Sequence, residues 1–396
     1  MPRIKPVLPP PIPATVGLME ETGGMSILHP GYSNGYTPLL RFLTFRDEGV
    51  DYDMVYYAAC IVAGNVWSDI PAPFLTKEAD PGSPHVTRPD DGILRDNQYY
   101  FHVPKCEDPK YPITPSFGDW VFPHDNVPQI WRELVINQIP LAVRSRLPAV
   151  RHRFPAVIRD GSCRITQAVS ALVAAHVVPI FETNWFIQNG MSRYNIDLTV
   201  VSMIDDAANL FALRGDVRWQ FDQKHFTAMP KLVDNQYQLV GHMLQSSMSY
   251  MHEEEYLYHD RPFLQLNDVA REFLFARFAW SIFNDTTIPF FEVKGQPFTV
   301  RVRKEADSGP SVELAVHTVS SMTSLPSLRQ GSSSKKRTRD EPAKEQHDDS
   351  DLFWSIEEGK MVNINQIDYP FGDPDFNSPK FYDSESDRPD KCERLE

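Results

Sequence analysis

The stretch "IDDAANLFALRGDVRWQFDQKHFTAMPK", Ile204 to Lys231, decides how this chain is read. Asn209 follows the acidic pair Asp205 and Asp206, and by its type it is a cap or turn residue. Asp216 reads as the N-cap of a short helix, "VRWQFD", with Trp219 and Phe221 as packing residues. A strand-like stretch then runs to Lys231. Working outward, "AAHVVP", Ala174 to Pro179, sets His176 before a β-branched pair and a proline that stops the run. Further upstream "DGSCRIT", Asp160 to Thr166, ends in a C-x-x-T step. Taken singly, each piece has a bland reading: His176 as a core histidine, Cys163 as a small buried hydrophobe without a cysteine partner.

Taken together, the pieces resemble the HNH endonuclease superfamily, more narrowly the fungal-type proteins with an HNH endonuclease 2 domain. The shared pattern runs through Cys163 and Thr166, His176 and Pro179, Asp206, Asn209, Leu213, Asp216, Phe221 and Asp222, and closes on Pro230 and Lys231. Motif-level likeness covers roughly 157–232, with a weaker likeness to 285. The resemblance implies a ββα-metal unit, a hairpin and helix clasping one divalent cation. It implies His176 as the general base, suited by an imidazole pKa near neutrality, with Asn209 orienting it or supporting its loop. The cation, Mg²⁺ or another divalent ion, would polarise the scissile phosphate.

One position departs from that pattern. Where the family has its metal-binding histidine this chain has Arg218. A guanidinium stays protonated and offers no lone pair, so it cannot ligate a cation and would repel one. Ala175, before the base, adds no ligand. Three substitutes are open: His225, seven residues beyond Arg218; Asp216 or Asp222 binding a hard cation through oxygen; or Arg218 itself clamping a phosphate in the cation's place. His225 precedes the strand-like Phe226–Thr227 and is expected to point elsewhere. Two functions therefore stand side by side. One is a metal-dependent endonuclease hydrolysing DNA phosphodiester bonds. The other is a catalytically inactive HNH-like domain, without a cofactor, that binds nucleic acid or protein.

The rest of the chain frames the module. At 396 residues with 41% hydrophobic side chains there is material for a sizeable core, although 34 prolines imply many breaks. Residues 1–35 read as a Pro/Gly-rich extended arm. Residues 36–156 read as strand-rich, from "YTPLLRFLTF", "MVYYAACIVAG" and "NQYYFHV", with "VPQIWREL" opening a helix. Residues 157–235 read as the HNH-like module and 236–316 as a mainly helical extension, with apolar residues of "DNQYQLVGHMLQSSMSYM" and "LNDVAREFLFARFAWSIF" spaced for helices. Within that extension Val269, Phe273, Ala276 and Trp280 share one helical face, and Phe298–Val302 is a short strand. Residues 317–396 read as a disordered acidic tail. The fold class expected is thus α+β around a central ββα-metal module.

Charge and cysteines narrow the setting. The formal net charge is −14, and 340–396 holds 17 acidic against 6 basic side chains. With the basic cluster Lys335, Lys336, Arg337 and Arg339 also set aside, 1–334 stands near −7. That balance argues against a long, salt-sensitive nucleic-acid footprint and leaves room for a local Arg/Lys groove. The basic cluster resembles a nuclear localisation signal, and the acidic tail, with its "DLFWSIEEG" island, offers a protein-binding segment. Four scattered cysteines form neither a disulfide scaffold nor CxxC pairs, which points to a reducing compartment, nucleus or cytoplasm. The N-terminus lacks a signal-peptide core, and no apolar run approaches the ~20 residues that span a bilayer.

Overall fold

The computed structural model describes residues 24–32, 38–44, 49–139, 154–197, 203–244, 257–284, 287–292, 297–306 and 309–318, together with two short strands at 352–355 and 360–363. The chain divides into two compact units, Met1–Ser333 and Ser334–Glu396. The larger is a mixed α/β body with several small sheets and, among the described residues, six α-helices. None of those helices is long and apolar enough to cross a membrane.

In chain order the strands of the larger unit are β1 (Gly24–Leu28), β2 (Leu40–Leu43), β3 (Val50–Asp51), β4 (Phe74–Thr76), β5 (Ile93–Leu94), β6 (Gln98–His102), β7 (Leu172–His176), β8 (Leu210–Arg214), β9 (Phe226–Val233), β10 (Gln236–Met243), β11 (Arg261–Pro262), β12 (Pro297–Ala306) and β13 (Gly309–Thr318). The helices are α1 (Tyr52–Val62), α2 (Gln129–Arg132), α3 (Phe154–Asp160), α4 (Thr183–Gln188), α5 (Gly215–Asp222) and α6 (Arg271–Ile282). β2-β1-β6-β4 form the largest sheet, with β1 and β6 parallel and the other pairs antiparallel. β11-β10-β9, β7-β8, β12-β13 and β3-β5 make separate smaller sheets.

α6 is the hub of packing. All ten residues from Phe273 to Ile282 are buried, so the helix is surrounded rather than laid on a surface. Phe275 alone meets Trp67, Trp120, Phe122 and Trp131 at ring-centroid distances of 4.9–5.9 Å. Offset and edge-on aromatic pairs at such separations add to area burial. One apolar cluster runs from Met25 through Phe211 and Phe221 to Val300. It draws on the N-terminal, central and C-terminal segments alike.

Two stretches fold otherwise than their residue types suggest. "MVYYAACIVAG" reads as a strand by its Tyr and Val content, yet it lies in α1. Asp51 caps that helix by accepting from the Met54 N–H at 2.9 Å, and buried Met54, Val55, Ala58, Ala59, Ile61 and Val62 follow helical spacing. "DNQYQLVGHM" reads as helical, yet it forms β10. Asp234 and Asn235 both take left-handed φ, 49° and 62°, closing a two-residue turn from β9. Region 236–316 therefore carries β10, β11, β12 and β13 besides α6, rather than being mainly helical. The expected strand at Phe298–Val302 lies within the longer β12.

Residues 1–23 of the expected arm lie outside the described residues, while Gly24–Leu28 belongs to the largest sheet. Most of 317–396, including the basic cluster 335–339, also lies outside them. The described part of the smaller unit is an antiparallel pair, Leu352–Ser355 with Lys360–Asn363.

Candidate functional site

The site begins where β7 ends. β7 and β8 pair antiparallel with His176 opposite Leu210 and Leu172 opposite Arg214. β8 runs straight into α5 at Gly215. The connection from β7 to β8 is no tight turn, since it spans 177–209 and contains α4.

Asn209 holds the two ends of that excursion together. Its side chain is fully buried: Oδ1 accepts from the Val178 N–H at 2.8 Å, and Nδ2 donates to the carbonyls of Val178 at 3.0 Å and Ile204 at 2.9 Å. Its own carbonyl accepts from Val177 N at 2.8 Å. The loop leaving His176 is thus gripped one and two residues beyond the imidazole. Asp206 is turned inward too, accepting from the N–H groups of Ala208, Ile196 and Asp197 at 2.8–3.0 Å. A second clasp secures the opposite edge of β8. Asp160 accepts from Ala212 N at 2.7 Å, and Arg159, ion-paired to Asp160 at 2.8 Å, donates to the carbonyls of Ala207 and Leu210. Cys163 is fully buried, its Sγ accepting from the Thr166 N–H at 3.4 Å, so the C-x-x-T step shapes a turn.

His176 is 4% exposed, and its Nε2 lies 2.8 Å from Asp205 Oδ1. A carboxylate in that place orients the ring and favours the imidazolium that forms when the ring takes a proton. Asp205 was not singled out as a site residue from sequence. Its position next to Asp206 hides which of the two faces the histidine, and only the inward turn of Asp206 separates them.

The other expected site residues are committed elsewhere. Asp216 pairs with Arg214 at 2.6 Å, whose hydrogen bond holds that carboxyl below the usual carboxylate range. It lies in the first turn of α5, whereas the N-cap is Arg214 with no side-chain cap bond. Asp222 accepts from Arg218 Nε at 3.1 Å, one helical turn apart. His225 lies beyond the helix, edge-on to Trp219 at 5.2 Å, with burial lowering its pKa. Phe221 is core and Trp219 is 58% exposed.

A divalent cation at the family's position needs two or three converging N or O donors. The residues present do not fit that need. The ligand position on α5 is a guanidinium engaged with Asp222, Ala175 precedes His176, and Asp216 faces Arg214. Among the described residues, three metal-ligating side chains converge elsewhere, at His242, His259 and Asp260.

β7 and β8 thus pair and lead into α5, with His176 at the end of β7. Residues 163–227 match the family described as HNH endonuclease, so the similarity is to that segment of the chain. No curated protein and no solved structure matches the chain.

Proposed function

We propose that the ββα element of 163–227 is a nuclease-type module that engages DNA phosphodiesters with Arg218 in place of the family's cation and His176 as base. The observation that carries this reading is the His176–Asp205 pair, 2.8 Å apart on a loop gripped by Asn209. In the proposed step, water gives its proton to His176 as its oxygen attacks phosphorus, the opposite P–O bond to the sugar breaks, and the departing sugar oxygen takes a proton from solvent. Asp205 stabilises the imidazolium until it returns its proton to solvent. Arg218 supplies positive charge and planar donors to the phosphate oxygens once it leaves Asp222. A guanidinium activates the leaving oxygen less than a dication does, so turnover is expected to be slow. The net charge of −14 favours a short backbone contact over an extended basic footprint.

A plasmid-nicking assay on the full chain tests this. Expected are slow nicking that persists in EDTA and a fall of about a hundredfold or more in His176→Ala. Nicking abolished by EDTA and restored by Mg²⁺ or Mn²⁺ would instead support the family's metal-dependent endonuclease. The second reading, a domain that binds DNA or protein without hydrolysis, is favoured by the burial of His176 and by the Arg218–Asp222 pair. A mobility shift without nicking in any metal would support it. A nuclear location through 335–339 and a protein partner for the acidic tail are part of the same proposal, tested by deleting each segment.

A further inference from the structure

Outside the HNH module, the β9-β10-β11 sheet gathers two imidazoles and a carboxylate at one point. His242, on β10, is buried, and its ring centroid lies 4.8 Å from that of His259. One nitrogen from each imidazole and one oxygen of Asp260 lie within 4.8 Å of one another. Three features of the chain bring this about. Gly241 lets the 258–261 segment close on β10, for a Cβ there would meet the Tyr258 carbonyl oxygen at 2.9 Å. Asp260 adopts a left-handed φ of 56° and donates its N–H to the Gly241 carbonyl at 2.7 Å, which turns the segment back along β10. Gly241 and Val240 then pair with Arg261 and Pro262.

We propose that His242, His259 and Asp260 form a binding site for a first-row transition-metal dication of the zinc type. Two imidazole nitrogens and one carboxylate oxygen are a borderline-soft donor set, suited to zinc and its neighbours rather than to magnesium or calcium. Three protein ligands leave a fourth tetrahedral position for water. Ligand atoms around a tetrahedral ion lie roughly 3.3 Å apart at metal–ligand distances near 2.0 Å, so the group contracts on binding. Contacts already made by these side chains compete. Met243 N donates to His259 Nδ1 at 3.3 Å, a long bond that binding through Nδ1, or reprotonation there, displaces. The Lys231 ammonium sits 2.6 Å from Asp260 Oδ1 and 3.7 Å from Asp51 Oδ2. Asp51 therefore offers Lys231 an alternative partner when Asp260 turns to an ion.

The test is calorimetric titration of Zn²⁺ into the full chain after chelator treatment and dialysis, with Co²⁺ absorption reporting the ligand geometry. Expected are one equivalent bound and a tetrahedral cobalt spectrum, with affinity at least tenfold weaker in His259→Ala and in Asp260→Asn. Lys231→Met removes the competing ammonium and is expected to tighten binding severalfold, a change that misfolding does not produce. His176→Ala is expected to bind as wild type does, so the outcome is independent of the function assigned to the HNH module. Absence of stoichiometric binding by wild type, equal affinity in all the ligand variants, or loss of the site in a His176→Ala protein whose circular dichroism and thermal midpoint match wild type would each overturn the proposal.

Discussion

Replacing Asn209 with alanine removes the clasp that fixes the loop behind His176, and its cost follows from the bonds it makes. The substitution deletes three hydrogen bonds of 2.8–3.0 Å at a side chain with no exposure. Each such bond contributes about 1 kcal/mol net, and an orphaned buried N–H costs about 1–3 kcal/mol. The two carbonyls lose less, because each keeps a second lone pair for other partners. The sum is about 3–4 kcal/mol, or roughly 6–8 °C in thermal midpoint for a folded body of this size. Asn209→Asp keeps an acceptor for Val178 N–H but sets a buried carboxylate against two carbonyls, so it is expected to lose at least as much. Thermal and urea unfolding of the two variants beside wild type measures both. A loss under about 1 kcal/mol in Asn209→Ala would mean that solvent reaches these groups and that the loop is held by other means.

Three further outcomes are expected. Burial pushes the His29 pKa down to about 4 from 6.5, so the unfolded chain takes the proton first as pH falls. The stability it contributes is complete above pH 6.5 and is lost toward pH 4, by about 3 kcal/mol, and His29→Gln flattens that slope in urea midpoints. Arg277, fully buried, stacks on Phe221 at 3.4 Å and Trp280 at 4.4 Å and donates to the Phe221 carbonyl. Burial pushes its pKa down to about 9, so Arg277→Met, which keeps volume and drops the charge, should stay within about 1 kcal/mol of wild type. Arg277→Ala, which opens a cavity, should lose about 2–4 kcal/mol, and equal losses in chemical denaturation would refute the distinction. Finally, Asp205→Asn keeps the shape beside His176 but not the charge, and should cut nicking at least tenfold while the circular dichroism spectrum is unchanged. Unchanged nicking would detach Asp205 from the chemistry.

What was legible in the sequence was whatever short-range pattern determines. The resemblance carried by Cys163, His176, Asn209, Asp216 and Phe221 marked the module, and the apolar face of Val269, Phe273, Ala276 and Trp280 marked α6. Composition misled at Tyr52–Val62, where tertiary burial of paired positions and a cap at Asp51 outweighed the β-propensity of Tyr and Val. The helical reading of 236–243 failed for want of weight on Asp234–Asn235, two residues tolerant of left-handed φ. Asp205, Asp160 and the His242–His259–Asp260 cluster were hidden for another reason. Each acts on a partner far along the chain, and no periodicity records such a pairing. Asp160 illustrates this: it lies just before the C-x-x-T step, yet its work is done 52 residues away at Ala212.

The two halves of the module also rest on different physics, and this bears on how Arg218 is understood. The half around His176 is built into the interior: His176 is paired, Asn209 has no exposed side-chain surface, and the buried Arg159–Asp160 pair pins the edge of β8. A change in any of these strands a buried polar group, so the fold itself resists substitution there. The half around Arg218 sits on one face of an eight-residue helix, where Arg218 and Asp222 make a partly exposed pair one turn apart. Such a pair contributes only about 0.3–0.5 kcal/mol. Stability therefore neither requires arginine at 218 nor forbids histidine. The residue at 218 can therefore change while the architecture stays in place, so the phosphate-binding role proposed for Arg218 is separable from folding and Arg218→His tests it without unfolding the module.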